Sequence, residues 1–130
     1  VKRYGLGDRI KCTVFIERMD LAYAAADVVI SRAGAMSISE LSLLHQAGVF
    51  VPLPTAAEDH QTKNSMRLVE ADAALMVKND ETQKELLPVV FALMENEDKM
   101  KEMRNKIEYF AKPDAAEDIV DQIEIILNNN

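Results

Sequence analysis

Between residues 11 and 78, short apolar runs alternate with longer segments that mix apolar and polar residues. The runs are rich in β-branched residues, as is typical of strands buried on both faces of a parallel sheet. Strict alternation of such strands with helices indicates an α/β doubly wound fold. The predicted strands are 12–16, 27–31, 49–54 and a weaker 73–77, and the predicted helices between them are 19–26, 35–45 and 60–71.

After residue 78 the strand pattern stops and a helical closing segment is predicted over about 82–127. The spacings Thr82-x-x-Glu85 and Asp114-x-x-Glu117 predict capping boxes at the starts of two helices. Three apolar stripes at helical spacing are predicted to face the core. Their members are Leu87, Val90, Phe91 and Met94; Met103, Ile107 and Phe110; and Ile119, Ile123 and Ile126.

Composition limits the classes of function. The 130 residues contain 15 Lys and Arg against 22 Asp and Glu, a net charge of −7. An acidic chain offers no basic surface for a phosphate backbone, so no nucleic-acid partner is expected. No apolar run reaches the ~20 residues of a membrane span. Neither a Cys/His cluster at ligand spacing nor an Asp-x-Asp motif occurs, so neither a metal site nor a cofactor is predicted.

In an open parallel sheet, ligands bind beyond the carboxyl ends of the strands. The junction after the second predicted strand combines Gly34, suited to a tight turn, with a helix that starts at Ala35. Such a helix directs its first backbone N–H groups and its positive dipole end at the cleft, which suits a diphosphate. Ser37 and Ser39 add hydroxyl groups there.

Glu40 lies in the second turn of this helix. If Ile38, Leu41 and Leu44 form its buried stripe, Glu40 lies roughly 100° round the helix from the centre of that stripe, on a flank that could face the cleft. A carboxylate there could accept both hydroxyls of a ribose. The alternative is an ordinary strand-to-helix turn followed by a solvated glutamate, because one glycine is weaker than a full dinucleotide fingerprint.

The junction after the third predicted strand places Gln61 and Asn64 one helical turn apart. Their amides share a helix face and could bind sugar hydroxyls. The alternative is a polar helix start with Asp59 as its cap. His60 is a cap or ligand contact more than a catalyst, and His45, at the preceding helix end, complements a helix dipole.

Several segments in this order resemble one family. They are Phe15-Ile16-Glu17-Arg18-Met19, the stretch from Tyr23 to Glu40, Val51-Pro52, and Glu58-Asp59-His60-Gln61-Thr62-Lys63-Asn64. Together they resemble the carboxyl-terminal domain of the MurG family, bacterial N-acetylglucosaminyltransferases of peptidoglycan synthesis with a two-domain GT-B fold. Residues 1–130 are thus predicted to form part of a donor-binding domain, a Rossmann-like parallel sheet flanked by helices. Because the chain starts at Val1 with neither an initiator Met nor a signal peptide, it is expected to be a segment of a longer protein.

The resemblance also implies a donor, an acceptor and a set of binding residues. The donor is UDP-N-acetylglucosamine, and the acceptor is a lipid-linked muramyl-pentapeptide held by an amino-terminal domain that also supplies the general base. Membrane contact is therefore not expected through this segment, although the family acts on the cytoplasmic face of the inner membrane. The implied donor-binding residues are Ile16, whose backbone reads the uracil, Ala35, Met36, Ser37, Ile38, Ser39 and Glu40 around diphosphate, sugar and ribose, and Gln61 on the N-acetylglucosamine.

Two other interpretations stay open. One is another UDP-sugar enzyme of GT-B fold, such as a lipid glycosyltransferase or an epimerase. The other is a nucleotide-sugar-binding module without activity. The run from Asp59 to Asn64 favours the transferase, and retention of Glu40 and Gln61 speaks against the inactive module.

Overall fold

A computed structural model of the chain describes residues 9–54 and 59–128. Within them, three parallel strands form one sheet in the order β1-β2-β3, with helices on both sides. The predicted Rossmann-like sheet flanked by helices is therefore confirmed. The elements are α1 (Met19–Ala25), β1 (Val29–Ser31), α2 (Ala35–Leu43), β2 (Gly48–Phe50), α3 (His60–Glu70), β3 (Leu75–Met76), α4 (Thr82–Met94), α5 (Glu97–Ile107) and α6 (Ala115–Asn128), with 3₁₀ turns at Asn79–Glu81 and Glu108–Phe110.

The core lies on both faces of the sheet because neighbouring residues of a strand point to opposite sides. Val49 and Phe50 of β2 are both fully buried, each in a different apolar cluster. The sheet is thus covered on two sides, as the near-continuous apolar runs predict. Phe50 packs in a cluster with Tyr23, Ala33, Leu41, Leu68, Ala73, Ala74 and Ile107, and Val49 with Ala47, Val77, Val90, Leu93 and Met103.

Helix α5 joins the closing segment to the sheet. Its residues Met103 and Ile107 are fully buried, one in each apolar cluster. Arg104 Nη2 also donates to the carbonyl oxygen of Asp27, 2.9 Å away, just before β1. This second predicted stripe does face the core, with Phe110 partly buried against it.

The other two predicted stripes do not match the structure. In α4, Val90 is buried, but Leu87 and Phe91 are 59% and 56% exposed. In α6, the stripe of Ile119, Ile123 and Ile126 is at least half exposed, and no described residue of the helix is buried. Helical spacing shows that a helix has an apolar face, but burial depends on which other elements pack against it.

The predicted strand at 12–16 is also wrong. The residues are irregular, and Val14 and Phe15 are highly exposed. Thr13 Oγ1 donates to the carbonyl oxygen of Phe15, 2.6 Å away, a local hydrogen bond that competes with a strand ladder. A β-branched run becomes a strand only where a neighbouring strand accepts its hydrogen bonds, and β1-β2-β3 is the sheet of the described residues.

The predicted helix bounds are closer to the structure than the predicted capping residues are. Helix α4 begins at Thr82, but Thr82 Oγ1 donates to the carbonyl oxygen of Asn79 and Glu81 takes the cap position without a side-chain bond. The predicted capping box at Thr82 is therefore wrong. Helix α5 instead has an unpredicted cap, since Asn96 Oδ1 accepts from the backbone N–H of Lys99 at 2.9 Å.

Candidate functional site

Helix α2 starts directly beyond the carboxyl end of β1. Strand β1 ends at Ser31, and Gly34, in an extended conformation, precedes the first helical residue Ala35. The first intrahelical hydrogen bond runs from the N–H of Ile38 to the carbonyl of Gly34, 3.1 Å away. The N–H groups of the first turn therefore have no acceptor within the helix and remain available to an anion.

The sequence suggests that Gly34 is needed for a tight turn, but the conformation of the residue does not require glycine. Its φ of −68° is open to any residue, and a Cβ built at this position meets no atom within 4 Å. Neither backbone strain nor packing inside the described chain thus requires glycine here. A side chain at Gly34 would enter open space beside the residue that precedes the first turn of α2.

The side chains of α2 divide into a buried and an accessible side. Leu41 and Ser42 are fully buried, whereas Leu44 is 47% exposed, so its predicted place in the buried stripe is wrong. The turn that ends the helix carries Leu44 outward. Of the predicted ligand residues, Ala35, Met36 and Ser39 are exposed, and Ser37, Ile38 and Glu40 are half-buried.

Glu40 is held by a neighbouring helix. The hydroxyl of Tyr23 in α1 donates to Glu40 Oε2, 2.8 Å away. Burial of Tyr23, together with the hydrogen bond and charge of Glu40, raises the pKa of Tyr23 to about 12, so the phenol keeps its proton into the alkaline range. The carboxylate is therefore not the freely solvated helix glutamate of the alternative interpretation. Sequence reasoning missed Tyr23, since spacing gives no signal for a contact across 17 residues.

The start of α3 lies beyond the carboxyl end of β2. Gln61 Oε1 accepts the backbone N–H of Leu53 at 2.9 Å, which leaves the two N–H donors of the amide for a ligand. Asp59 is the N-cap, but with φ at 58° and no side-chain hydrogen bond to the helix. His60, the first helical residue, is exposed.

A hollow of about 470 Å³ lies among α2, α3 and the segment around the 3₁₀ turn Glu108–Phe110. Asn64 lines it together with Ala35 and Ser39, so the structure brings the sugar-binding candidate Asn64 next to the predicted diphosphate helix. Arg67 and Lys112 add two cationic side chains that sequence reasoning missed. The sequence does contain an indication of Arg67, because a residue one helical turn after Asn64 lies on the same face of the helix.

Arg32, the residue after β1, ties the carboxyl edge of the sheet together. Its Nη1 donates to the carbonyl oxygens of Val51 and Pro52, at 3.2 and 3.3 Å, and to Asn79 Oδ1 at 2.7 Å. One guanidinium thus connects the ends of β1 and β2 to the turn after β3. A larger hollow of about 660 Å³, partly lined by Pro52 and Asn79, opens at this edge.

Ile16 lies in the irregular segment before α1 and is 42% exposed. It lines a hollow with Thr13, Phe15, Arg18 and Ala22, none of which belongs to α2. Helix α1 follows this segment at Met19 and carries Tyr23, which bonds to Glu40 of α2.

Metal and membrane features are absent from the described ranges 9–54 and 59–128. They contain no group of three His, Cys, Asp or Glu side chains that could hold a metal ion. None of their helices combines the length and the apolar character needed to cross a bilayer.

The sequence profile of the glycosyltransferase family 28 C-terminal domain matches residues 1–119. The chain belongs to glycosyltransferase family 28. This family 28 domain is also similar to a solved structure, the crystal structure of Acinetobacter baumannii MurG, at 39% identity and a TM-score of 0.77, over 85% of this chain and 33% of that chain.

Curated relatives of the family 28 domain carry one name, UDP-N-acetylglucosamine--N-acetylmuramyl-(pentapeptide) pyrophosphoryl-undecaprenol N-acetylglucosamine transferase. The protein of Christiangramia forsetii is 48% identical over 92% of this chain. That of Parabacteroides distasonis is 46% identical over 94%. The chain spans about a third of the length of each relative, 33% in both cases.

Proposed function

We propose that this chain is the donor-binding part of an enzyme that transfers N-acetylglucosamine from UDP to a lipid-linked N-acetylmuramyl-pentapeptide in peptidoglycan synthesis. The observation that carries the proposal is identity of 46 to 48% to transferases of that name over more than nine tenths of the chain. The parent enzyme acts at the cytoplasmic face of the inner membrane, where its lipid-linked acceptor lies.

The α2 start would bind the diphosphate of the donor. Its first-turn N–H groups lack helical acceptors, and Gly34 leaves open space in front of them. The backbone of Ala35 and Met36 and the hydroxyls of Ser37 and Ser39 would add further hydrogen bonds. An acidic chain can bind an anionic ligand in this way, because the ligand contacts oriented amides rather than the net charge.

Glu40 would accept the two ribose hydroxyls, and Ile16 would read the uracil through its backbone. The support for Glu40 is its half-buried carboxylate, fixed on one oxygen by Tyr23. Gln61 would donate to the N-acetylglucosamine with the amide hydrogens that Leu53 leaves unused, and Asn64 would contribute from the next helical turn.

Transfer would proceed by direct displacement at the anomeric carbon with inversion. The acceptor hydroxyl attacks, its proton passes to a general base outside this chain, and the bond to the UDP oxygen breaks. Negative charge then develops on the leaving diphosphate. The α2 amides would stabilise that charge, a contribution that preorganised dipoles make to the transition state more than to the ground state.

Titration of the chain with UDP-N-acetylglucosamine, followed by backbone amide chemical shifts, tests donor binding. Shifts are expected at residue 16, over residues 35 to 40 and at residue 61. UDP-galactose is the matched ligand and should bind more weakly, since Gln61 would meet a different sugar. A folded chain whose amides at these positions do not respond would refute the proposal, and preference for UDP-galactose would favour another UDP-sugar enzyme.

Glu40→Gln tests the ribose role. The variant should weaken UDP by roughly tenfold, the effect of ~1.4 kcal/mol, and leave inorganic pyrophosphate unaffected. Glu117→Gln, an exposed glutamate of α6, is the matched control and should change neither ligand. Equal weakening of UDP and pyrophosphate by Glu40→Gln would exclude the ribose contact.

A further inference from the structure

Tyr23 and Glu40 form a contact that donor binding alone does not explain. The hydroxyl of Tyr23 is 2.8 Å from Glu40 Oε2, and the two residues lie on different helices, α1 and α2. Tyr23 is only 8% exposed, while Glu40 is half-buried. A hydroxyl at the edge of the core thus meets a half-buried carboxylate on the helix that starts at Ala35.

The phenol is itself fixed by its surroundings. Its ring belongs to the apolar cluster that contains Leu41 and Phe50. Its backbone carbonyl accepts Gln46 Nε2 at 2.9 Å, so the residue is held from the turn after α2 as well. A tyrosine held at the ring and at the backbone presents its hydroxyl in one place.

The hydrogen bond restricts a side chain that is otherwise flexible. An unrestrained glutamate samples several rotamers, and ordering it on binding weakens affinity. An ionised carboxylate has about four lone-pair positions, and Tyr23 uses one of them. Enough acceptor capacity remains on Glu40 for two further hydroxyl donors.

We infer that Tyr23 is a positioning residue that holds the Glu40 carboxylate in the orientation in which it accepts the ribose hydroxyls of the donor. The inference rests on the proposed function, because it gives Tyr23 a role only through Glu40. Tyr23 need not touch the ligand. Removal of the Tyr23 hydroxyl should therefore reduce only the contribution of the ribose hydroxyls to the affinity for the donor.

A double-mutant cycle with two ligands tests this inference. The proteins are the wild-type chain, Tyr23→Phe, Glu40→Gln and the double variant, and the ligands are UDP and 2′,3′-dideoxy-UDP, measured by calorimetry. Tyr23→Phe should weaken UDP by roughly three- to tenfold, the cost of ordering one flexible side chain, and leave the dideoxy ligand unchanged. In the Glu40→Gln background, Tyr23→Phe should have no further effect on either ligand.

The outcomes separate this inference from the function on which it rests. If the wild-type chain binds both ligands equally, the ribose contact and the inference both fail. A second outcome is that the wild type prefers UDP, that Glu40→Gln removes this preference and that Tyr23→Phe retains it. This outcome overturns only the inference. Equal weakening of both ligands by Tyr23→Phe, persisting in the Glu40→Gln background, would show a merely structural role and would also overturn it.

A second variant, Glu40→Asp, tests the same contact without changing the buried Tyr23, so that a loss of stability in Tyr23→Phe cannot be mistaken for a loss of binding. Glu40→Asp keeps the charge but shortens the side chain by one methylene, which withdraws the carboxylate from the Tyr23 hydroxyl without altering the core. It should reduce the preference for UDP over the dideoxy ligand as Tyr23→Phe does. Because this preference is a ratio measured within one protein, it does not depend on the folded fraction. Adding Tyr23→Phe to Glu40→Asp should then lower the preference no further, and a further loss would contradict the inference.

Discussion

Helices α2 and α6 both carry apolar residues at helical spacing, more sharply segregated to one face in α6, but their surroundings differ. Leu41 and Ser42 of α2 are fully buried beneath the candidate site, whereas no described residue of α6 is buried. On α2 the buried side anchors the helix and leaves its start accessible. On α6 the apolar residues face outward in the described chain. Apolar spacing thus identifies a face, and only the neighbouring elements decide whether it contributes to the core.

The largest effect expected from this difference concerns stability. Leu41→Ala removes a fully buried side chain and should lower the free energy of unfolding by about 2–5 kcal/mol. Ile123→Ala in α6 is the matched change at a half-exposed position and should cost no more than ~0.5 kcal/mol. Urea denaturation measures both. Similar losses for the two variants would show that α6 is packed as well as α2.

A second prediction separates function from stability at α2. Gly34→Ala should change the free energy of unfolding by less than about 1 kcal/mol, since φ is −68° and the added Cβ meets no atom. UDP binding should weaken by roughly five- to a hundredfold, because overpacking typically costs ~1–3 kcal/mol where a ligand approaches the backbone. Calorimetry and urea denaturation provide the two readouts. Unchanged UDP affinity would mean that no ligand approaches this turn.

A third prediction uses the alkaline pH range. The pKa of Tyr23 is raised to about 12, chiefly by burial and then by Glu40, while an unfolded tyrosine titrates near ~10. The folded chain therefore retains a proton that the unfolded chain has lost, and stability should fall as the pH rises from about 10 to about 12. Thermal unfolding at several pH values should show a flatter dependence in Tyr23→Phe. An identical slope in both proteins would argue against a protonated, buried Tyr23.

The smallest effect is expected on the surface of α5. Lys106 Nζ is 2.6 Å from Glu102 and 3.1 Å from Asp72, and these contacts lower the pKa of both carboxyl groups. Because both carboxylates are exposed and the Lys106 side chain is 34% exposed, Lys106→Met should shift the melting temperature only slightly, and less at high salt. The shift should disappear as the pH falls through the lowered pKa values and the carboxylates are protonated. A shift as large as that of Leu41→Ala would show a stronger network than the exposure suggests.

Much of the sheet and the candidate site could be predicted because both follow from local rules. Buried parallel strands need continuous apolar runs, and helices α2 and α3 begin at Ala35 and His60, where they were predicted. Glu40 and Asn64 are candidates on the same ground, because residues after strand ends collect at one edge of the sheet, and their roles stay predictions.

The errors have two physical causes, which are local hydrogen bonds that compete with regular structure and dependence on distant partners. Thr13 bonds to its own loop instead of a strand, Thr82 bonds to Asn79 instead of capping α4, and Ile123 lies exposed. The contact from Tyr23 to Glu40 joins two helices and leaves no periodic signal in the sequence. Periodic spacing shows which elements a segment can form, whereas specific contacts, local and distant, decide which one it does form.

Helix α5 is attached to the start of β1 by the hydrogen bond from Arg104 to the carbonyl of Asp27, and this attachment affects where the chain can be shortened. Because α5 buries Met103 and Ile107 among residues of the sheet and its helices, removal of everything after β3 would expose both apolar clusters. The segment around Pro113, between α5 and the exposed α6, contains no buried residue. Limited proteolysis should therefore release α6 first and leave a resistant fragment that ends after the 3₁₀ turn Glu108–Phe110.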